Sequence, residues 1–549
     1  MQALLTVLTL LSVPTVWASP HAHPHRRQTS NFTVGQTVDT TSGSVTGHAA
    51  SAYSEVSEYL GIPFGQPPVG NLRFAAPVRY EGSGAINAST FGNTCATLSS
   101  SSSSAPTAEQ IAFSNITAVG LEFLSETTAA NVVYSEDCLY LNIWTKPQSG
   151  EAKKAVMVYL YGGGFSSGSS SVSVYNGAAL AEKEDVIIVN FNYRVSILGF
   201  PGNPSAQGNL GFLDQRLALE WIRDNIASFG GDPSRITLFG QSAGGASTDY
   251  YSYAFASDPI VYALIEQSGT AFSFGLPYPA STIATNWYTV TSAVGCGNAS
   301  TDSTAQLSCM RNVSTDAIFA AVPNSGVNAL LSPFGPTVDG ELVFANYSAL
   351  PAPDIPLLVG SNDYEAGLFR TELALGGLAF ADSDWEEMNL SSYTCPIGQR
   401  ANASFIASTS TSTSEDECTS SSPVWRYRFH GVFPNVNISS EAGAFHGIEL
   451  QLLFGTTFSS PADTPAEIAV EKYIQGAWTT FAKDPVNGLK SYEGGWPTYD
   501  PAEKTLIRLA YGNELGDGTN LEYPEVYDAA CVGASLADLL CRIFGECSL

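Results

Sequence analysis

The run FGGDPSRITLFGQSAG, Phe229 to Gly244, limits the fold more than any other part of this 549-residue chain. Gly230 and Gly231 break the segment before it, Ile236 to Phe239 form a short β-branched and apolar run, and Gly240 and Gly244 flank Ser242. A strand that turns sharply into a helix needs residues without a Cβ at its points of closest approach, and glycine supplies them. The small residues Ala243, Gly245 and Ala246 open the next segment. The expected result is a hydroxyl held at a tight strand-to-helix turn. Gly164 to Gly168, around Ser166, has the same G-x-S-x-G spacing, but it runs into a serine-rich stretch with no helical pattern.

The flanking segments supply a sheet for that turn. Ala155 to Leu160 reads as a buried strand followed by Tyr161-Gly162-Gly163-Gly164-Phe165, and Asp185 to Phe191 as a second. From Leu213 to Ser228, apolar residues recur at Leu213, Leu217, Trp221, Ile222 and Ile226, a helical spacing that stops at Gly230. Tyr262 to Glu266, Pro356 to Gly360 and Val424 to Phe429 are further strand candidates. This order implies an α/β fold with a large, mostly parallel sheet flanked by helices. Sites in such sheets lie beyond the carboxyl ends of the strands. No internal repeat is visible, and residues 28–549 read as a single catalytic domain, since α/β folds often exceed the usual domain length.

The segment from Phe229 to Gly244 resembles the active-serine pattern of the type-B carboxylesterase/lipase family, the cholinesterase-like α/β-hydrolases. A second pattern of that family stands upstream at EDCLYLNIW, Glu136 to Trp144, and LGIPFGQPPVGNLRF, Leu60 to Phe74, is close to its usual wording. The resemblance implies an α/β-hydrolase fold, with loop and helix excursions forming a gorge or lid, and serine-dependent hydrolysis of carboxylic esters. It implies disulfides Cys95 to Cys138 and Cys296 to Cys309, leaving Cys395, Cys418, Cys531, Cys541 and Cys547 of the nine cysteines. That odd number is compatible with one free thiol or with an intermolecular bridge from the tail. Between Cys95 and Cys138 lie a serine run, Ser99 to Ser104, and a helical candidate carrying Ile111, Ile116, Val119 and Leu124. In the family this loop borders the gorge or acts as a lid; an ordinary packed helix is the other reading.

Ester attack needs an activated hydroxyl, a base to take its proton and an acid to hold that base in one tautomer. In α/β-hydrolases they occur in the order serine, acid, histidine. Of the six histidines, His21, His23 and His25 fall in the leader and His48 precedes Ser242, which leaves His430 and His446. His430 ends the strand WRYRFH and reads as a packed or strand-edge residue. His446 lies between Gly443 and Gly447 before a helix, and it also matches the family's histidine segment. For the acid, Asp363 and Glu365 both follow the strand Leu357 to Gly360. By resemblance the acid is Glu365. The oxyanion hole would combine the amide of Ala243, after the serine, with Gly163 and Gly164, which match the family's glycine loop. Ser268, in IEQSGT, matches a family serine that sits behind the triad. No cofactor or metal motif is present: no HExxH, no GK[ST] loop and no paired CxxC.

Ala3 to Trp17 form an apolar run ending in Val16-Trp17-Ala18, the pattern of a secretory signal cleaved near Ala18. Arg26-Arg27 closes a short segment, residues 19–27, that a protease could trim. No other run is long and apolar enough to span a bilayer. Nine N-x-S/T sequons, at Asn31, Asn87, Asn115, Asn298, Asn312, Asn346, Asn389, Asn402 and Asn437, read as a glycosylated surface in a secreted protein. A net charge of -28 with 23 Lys and Arg excludes a phosphate-backbone partner, so no nucleic acid is expected. The expected partner is a small-molecule or lipid ester. No Trp lies between Cys95 and Cys138 to hold a quaternary ammonium, and neutral Gln241 stands where the cholinesterases carry Glu before the serine. Uncharged esters are therefore the expected substrates, with an interfacial lipase or a cholinesterase-like enzyme as alternatives. A non-catalytic adhesion homologue is the alternative from another class. Ala534 to Cys547 places Leu536, Leu539, Leu540, Ile543 and Phe544 on one helical face, which suits a helix docked on the body or one that tethers a partner.

Overall fold

The computed structural model describes residues 32–97, 106–127, 132–323, 332–410, 422–515 and 518–544. The expected leader and trimming site, with His21, His23, His25 and Asn31, the run Ser99 to Ser104, Cys418 and Cys547 lie outside the described residues.

Its core is an 11-stranded sheet. In chain order the strands are β1 (His48–Ala49), β2 (Ser57–Pro63), β3 (Tyr140–Thr145), β4 (Lys154–Leu160), β5 (Ile187–Phe191), β6 (Gly231–Gln241), β7 (Ala263–Gln267), β8 (Leu357–Asn362), β9 (Val424–Phe429), β10 (Leu506–Leu509) and β11 (Leu521–Glu522). They lie side by side as β11-β10-β9-β8-β7-β6-β4-β5-β3-β2-β1. The strands from β4 to β10 pair in parallel, whereas β11 and the three strands from β1 to β3 join antiparallel. The sheet is thus mostly parallel, as expected, with antiparallel strands at both edges. At one edge the reason is the connection: β1 and β2 are joined by a loop too short for the crossover that parallel neighbours need.

Every residue of β4, β5, β7, β8 and β9 is buried. Helices cover both faces of the central sheet, so these strands read as continuous apolar runs without alternation. The helices that bear on the site are α1 (Ala108–Ser114), α2 (Ala118–Thr127), α3 (Leu210–Asn225), α4 (Ala243–Ala254), α5 (Ala366–Leu375), α6 (Asp382–Asn389), α7 (Ile448–Phe454) and α8 (Leu536–Phe544). The single helix expected inside the first disulfide loop is two, α1 and α2, parted at Asn115, whose φ of 53° is left-handed. Ile116, expected on that helix, instead bridges to Ser439.

Three disulfides join described residues: Cys95 to Cys138, Cys296 to Cys309, and Cys395 to Cys531. Cys541 is also disulfide-bonded. Cys531 is thus used within the chain, which removes it from any intermolecular bridge. Ser408 to Ser410 close the helix Cys395–Ser410, and residues 411–421 lie outside the described residues. Among the sequons, Asn87, Asn115, Asn298, Asn312 and Asn346 are exposed. Asn389 is not: it is 3% exposed, and its Oδ1 accepts a hydrogen bond from the Glu365 amide. A three-residue signal carries no information about burial, and this position is withdrawn as a glycan site.

Candidate active site

Strands β4 and β6 are parallel neighbours, with Leu160 paired to Gly240, so the segments that follow them emerge side by side. After β4 comes the glycine loop and after β6 comes Ser242. A Cβ on Gly162 would lie 2.8 Å from the Ser242 Cβ. Ser242 has φ 60° and ψ −126°, a strained conformation for a residue with a side chain. Its amide donates to the Gln267 carbonyl at 2.8 Å, and its carbonyl accepts from Ala246 at 2.9 Å, which locks the turn. The flanking glycines are sterically required. A Cβ on Gly240 would meet the Gly244 backbone at 2.4 Å, and one on Gly244 would meet the Leu160 carbonyl oxygen at 1.9 Å.

Helix α4 starts at Ala243, so its N-terminal end faces the serine. The first amides of a helix have no intrahelical acceptor and carry partial positive charge. Gly163 and Gly164 have φ values of 115° and 60°. Among the described residues, neither amide has a protein acceptor. The loop is closed by hydrogen bonds to the Gly163 carbonyl from the amides of Ser166 and Ser167, both at 3.0 Å. Gly162 thus lies against the serine, and the free amides of Gly163 and Gly164 belong to residues lining the same cavity as Ser242.

His446 Nδ1 lies 2.7 Å from Glu365 Oε2. Its Nε2 lies 3.1 Å from the side-chain amide nitrogen of Gln241. An amide N–H can only donate, so Nε2 carries the lone pair and Nδ1 carries the proton directed at Glu365. This is the tautomer a histidine base requires. The ring packs against Tyr393 and Phe369, with centroids 4.9 and 5.4 Å away. Glu365 is fully buried. Its Oε1 accepts from the Ser268 hydroxyl and from the Asn362 amide, each at 2.6 Å, so several donors surround the carboxylate.

The two carboxylates that followed β8 have separate partners. Asp363 Oδ1 accepts from Arg428 at 2.8 Å and lies 3.3 Å from His430 Nδ1. Burial pushes its carboxyl up, but His430 and Arg428 together outweigh that and hold it well below the ordinary carboxylate range. His430 is thus packed at a strand end, and Asp363 is tied to it and not to His446.

Ser242, Gly163, Gly164 and His446 line one cavity of about 480 Å³. Its walls also carry Phe123 and Thr127 of α2, Phe369 and Glu372 of α5, Trp385 and Met388 of α6, and Leu536, Leu539 and Leu540 of α8. Both the first disulfide loop and the C-terminal helix therefore border the site. Ser166, in the competing G-x-S-x-G segment, lies on the same wall, where its hydroxyl donates to the Gly163 carbonyl at 3.0 Å.

Three polar residues of the site were not anticipated in these roles. Gln241 contacts the imidazole directly. Glu449 lies three residues beyond His446 on α7, and its carboxylate accepts from Gln267 at 2.9 Å and from Asn362 at 2.6 Å. Glu372 lies seven residues beyond Glu365, two turns along, and so on the same helical side. Those spacings were the available signals.

A sheet parallel at its centre, with a serine on the turn from β6 into α4 and a histidine–carboxylate pair over the strand ends, defines an α/β-hydrolase. The chain belongs to the carboxylesterase family, which residues 34–395 and 397–526 match. It is similar to a chlorogenic acid esterase of Aspergillus niger, 34% identical over 501 residues, covering 89% of this chain and 87% of that protein. Secreted lipase 5 of Gibberella zeae is 30% identical, with 88% of this chain and 92% of the relative covered. A cholinesterase of Mus musculus is 31% identical, with 83% and 79% covered. The chain is accordingly a carboxylic ester hydrolase.

Proposed function

We propose that this chain is a secreted serine carboxylesterase that acts on uncharged carboxylic esters through an acyl-enzyme. Ser242 attacks the ester carbonyl carbon while His446 Nε2 takes its proton. Glu365 holds the imidazole in that tautomer and stabilises the imidazolium that forms. The amides of Gly163, Gly164 and Ala243 receive the charge that develops on the carbonyl oxygen. A group of such donors is worth the most where water is excluded. Collapse of the tetrahedral intermediate expels the alcohol, which takes the proton from His446, and water then repeats the sequence to release the acid.

The observation that carries this reading is the 2.7 Å contact between His446 and Glu365 beside a cavity that Ser242 also lines. The Gln241 amide is the one hydrogen-bond partner of Nε2 among the described residues, so a substrate that displaces it leaves the lone pair available to the serine. Neutral Gln241 and an aromatic, weakly charged cavity favour uncharged esters. The secreted relative and the signal-like leader support an extracellular location. The test is hydrolysis of p-nitrophenyl butyrate by wild type and Ser242→Ala. The expected loss is at least about a thousandfold, and a near-normal rate in the variant refutes the assignment.

One observation favours an interfacial lipase as a second reading: α8 presents Leu536, Leu539, Leu540 and Ile543 to the cavity, so its displacement would expose an apolar surface beside the site. A rate that jumps above the solubility limit of a triglyceride supports that reading, and a smooth saturation curve removes it.

A further inference from the structure

The cavity wall carries two carboxylates, Glu372 and Asp384, and no lysine or arginine among the described residues. Asp384 is already occupied: it accepts from the Ala381 amide at 3.1 Å at the start of α6 and pairs with Arg542 at 3.6 Å. The Glu372 carboxylate has no hydrogen bond or ion pair among the described residues; only its backbone carbonyl accepts, from the Gly376 amide at 3.1 Å. The nearby cation, Arg370, is taken by Asp382 at 2.9 Å and Glu441 at 2.8 Å. Glu372 is exposed and is one of the residues lining the cavity.

Position makes this carboxylate relevant to substrate. Leu368, Phe369, Glu372 and Leu373 put one side of α5 on the cavity wall. Phe369 packs on the His446 ring, and Glu372 stands one turn further along, roughly 5 Å. Water can satisfy this carboxylate while the cavity is open, and a ligand that fills the apolar-walled space must replace that hydrogen bond or leave the group unpaired. Phe369, Leu373, Phe380, Trp385 and Tyr393 all line the same space, so the surroundings are aromatic and aliphatic.

We propose that Glu372 binds a hydroxyl group of the ester, so that esters bearing a phenolic or alcoholic O–H remote from the reacting carbonyl are the preferred substrates. The proposal rests on the hydrolase reading of this cavity and names its substrate class. A hydroxyl suits the site better than a cation does. Desolvation by the surrounding apolar walls pushes the Glu372 carboxyl up to about 7, with His446 opposing, so a full negative charge is not assured near neutrality. A carboxyl can accept from a hydroxyl in either protonation state, and it can donate when protonated. A substrate carboxylate would find no cationic partner on the wall.

The test compares wild type, Glu372→Leu and Glu372→Gln on matched esters. Ethyl cinnamate is paired with ethyl 3,4-dihydroxycinnamate for the acyl side, and phenethyl acetate with 4-hydroxyphenethyl acetate for the alcohol side. In at least one pair, the ratio of kcat/KM for the hydroxylated over the plain ester should fall roughly 10- to 100-fold in Glu372→Leu, with Glu372→Gln keeping part of it. A purely structural role lowers both members together, and an unmoved ratio in both pairs overturns the proposal. So does a selective loss on acetylcholine relative to its neutral isostere 3,3-dimethylbutyl acetate, which would assign Glu372 to a cation. Turnover of the plain esters by wild type is read in the same experiment. Its absence for every ester overturns the hydrolase reading and this proposal together, whereas turnover with unmoved ratios overturns only the hydroxyl assignment.

Discussion

Glu449 makes folding stability depend on pH in a way that can be worked from the structure. The side chain is 2% exposed. Burial, with the negative charge of Glu365 beside it, pushes its carboxyl from the ordinary 4.5 up to about 7, while the Asn362 amide and His446 oppose the rise. Between those two pH values the folded protein binds a proton that the unfolded chain does not. Stability therefore falls as pH rises through this window, and the contribution is complete only below about 4.5. The difference corresponds to about 3 kcal/mol. Glu449→Gln keeps the shape and removes the ionisation, so the variant should gain on wild type by about that amount between pH 4.5 and pH 7.5. Urea unfolding at several pH values, with the slope m checked for constancy, measures the difference. Parallel stability curves for the two proteins would refute the reasoning.

Three further outcomes follow from the same geometry. Glu365→Gln should reduce kcat on p-nitrophenyl butyrate by roughly a thousandfold or more, because the imidazole loses the acid that fixes its tautomer; a change under tenfold contradicts the role. Ser268→Ala removes one neutral donor at 2.6 Å from Glu365 and should lower kcat about tenfold while KM stays within about twofold; an unchanged kcat shows that the Asn362 amide suffices alone. Gly244→Ala places a Cβ 1.9 Å from the Leu160 carbonyl oxygen and should cost at least about 4 kcal/mol or prevent folding; a soluble variant with the thermal midpoint of wild type contradicts the packing of the turn.

The centre of the fold was legible because its strands are fully buried and read as plain apolar runs: Val424 to Phe429 matches β9 residue for residue. The start of β6 was not, since Gly231 pairs with Lys154 across an irregular register that the glycine-rich composition conceals. His446 as the proposed base could be reached by chain order and elimination. The choice between Asp363 and Glu365 needed the family resemblance, because residues two apart after a strand look equivalent until Arg428 and His430 on the neighbouring strand are seen to hold Asp363. The position of α8 over the cavity was hidden for a similar reason: its apolar face announced packing, but its partners on α5 and α6 lie far away in the chain. Glu372 and Glu449 read as ordinary helical charges, and only the fold gives them apolar surroundings.

The most direct measurement is the covalent capture of Ser242. Incubation with a p-nitrophenyl phosphonate, followed by digestion and mass spectrometry, should put a single adduct on the peptide that holds Ser242. Labelling should be absent in Ser242→Ala and slowed by orders of magnitude in His446→Ala. An adduct on Ser166 or Ser268, or labelling that survives Ser242→Ala, would contradict the account.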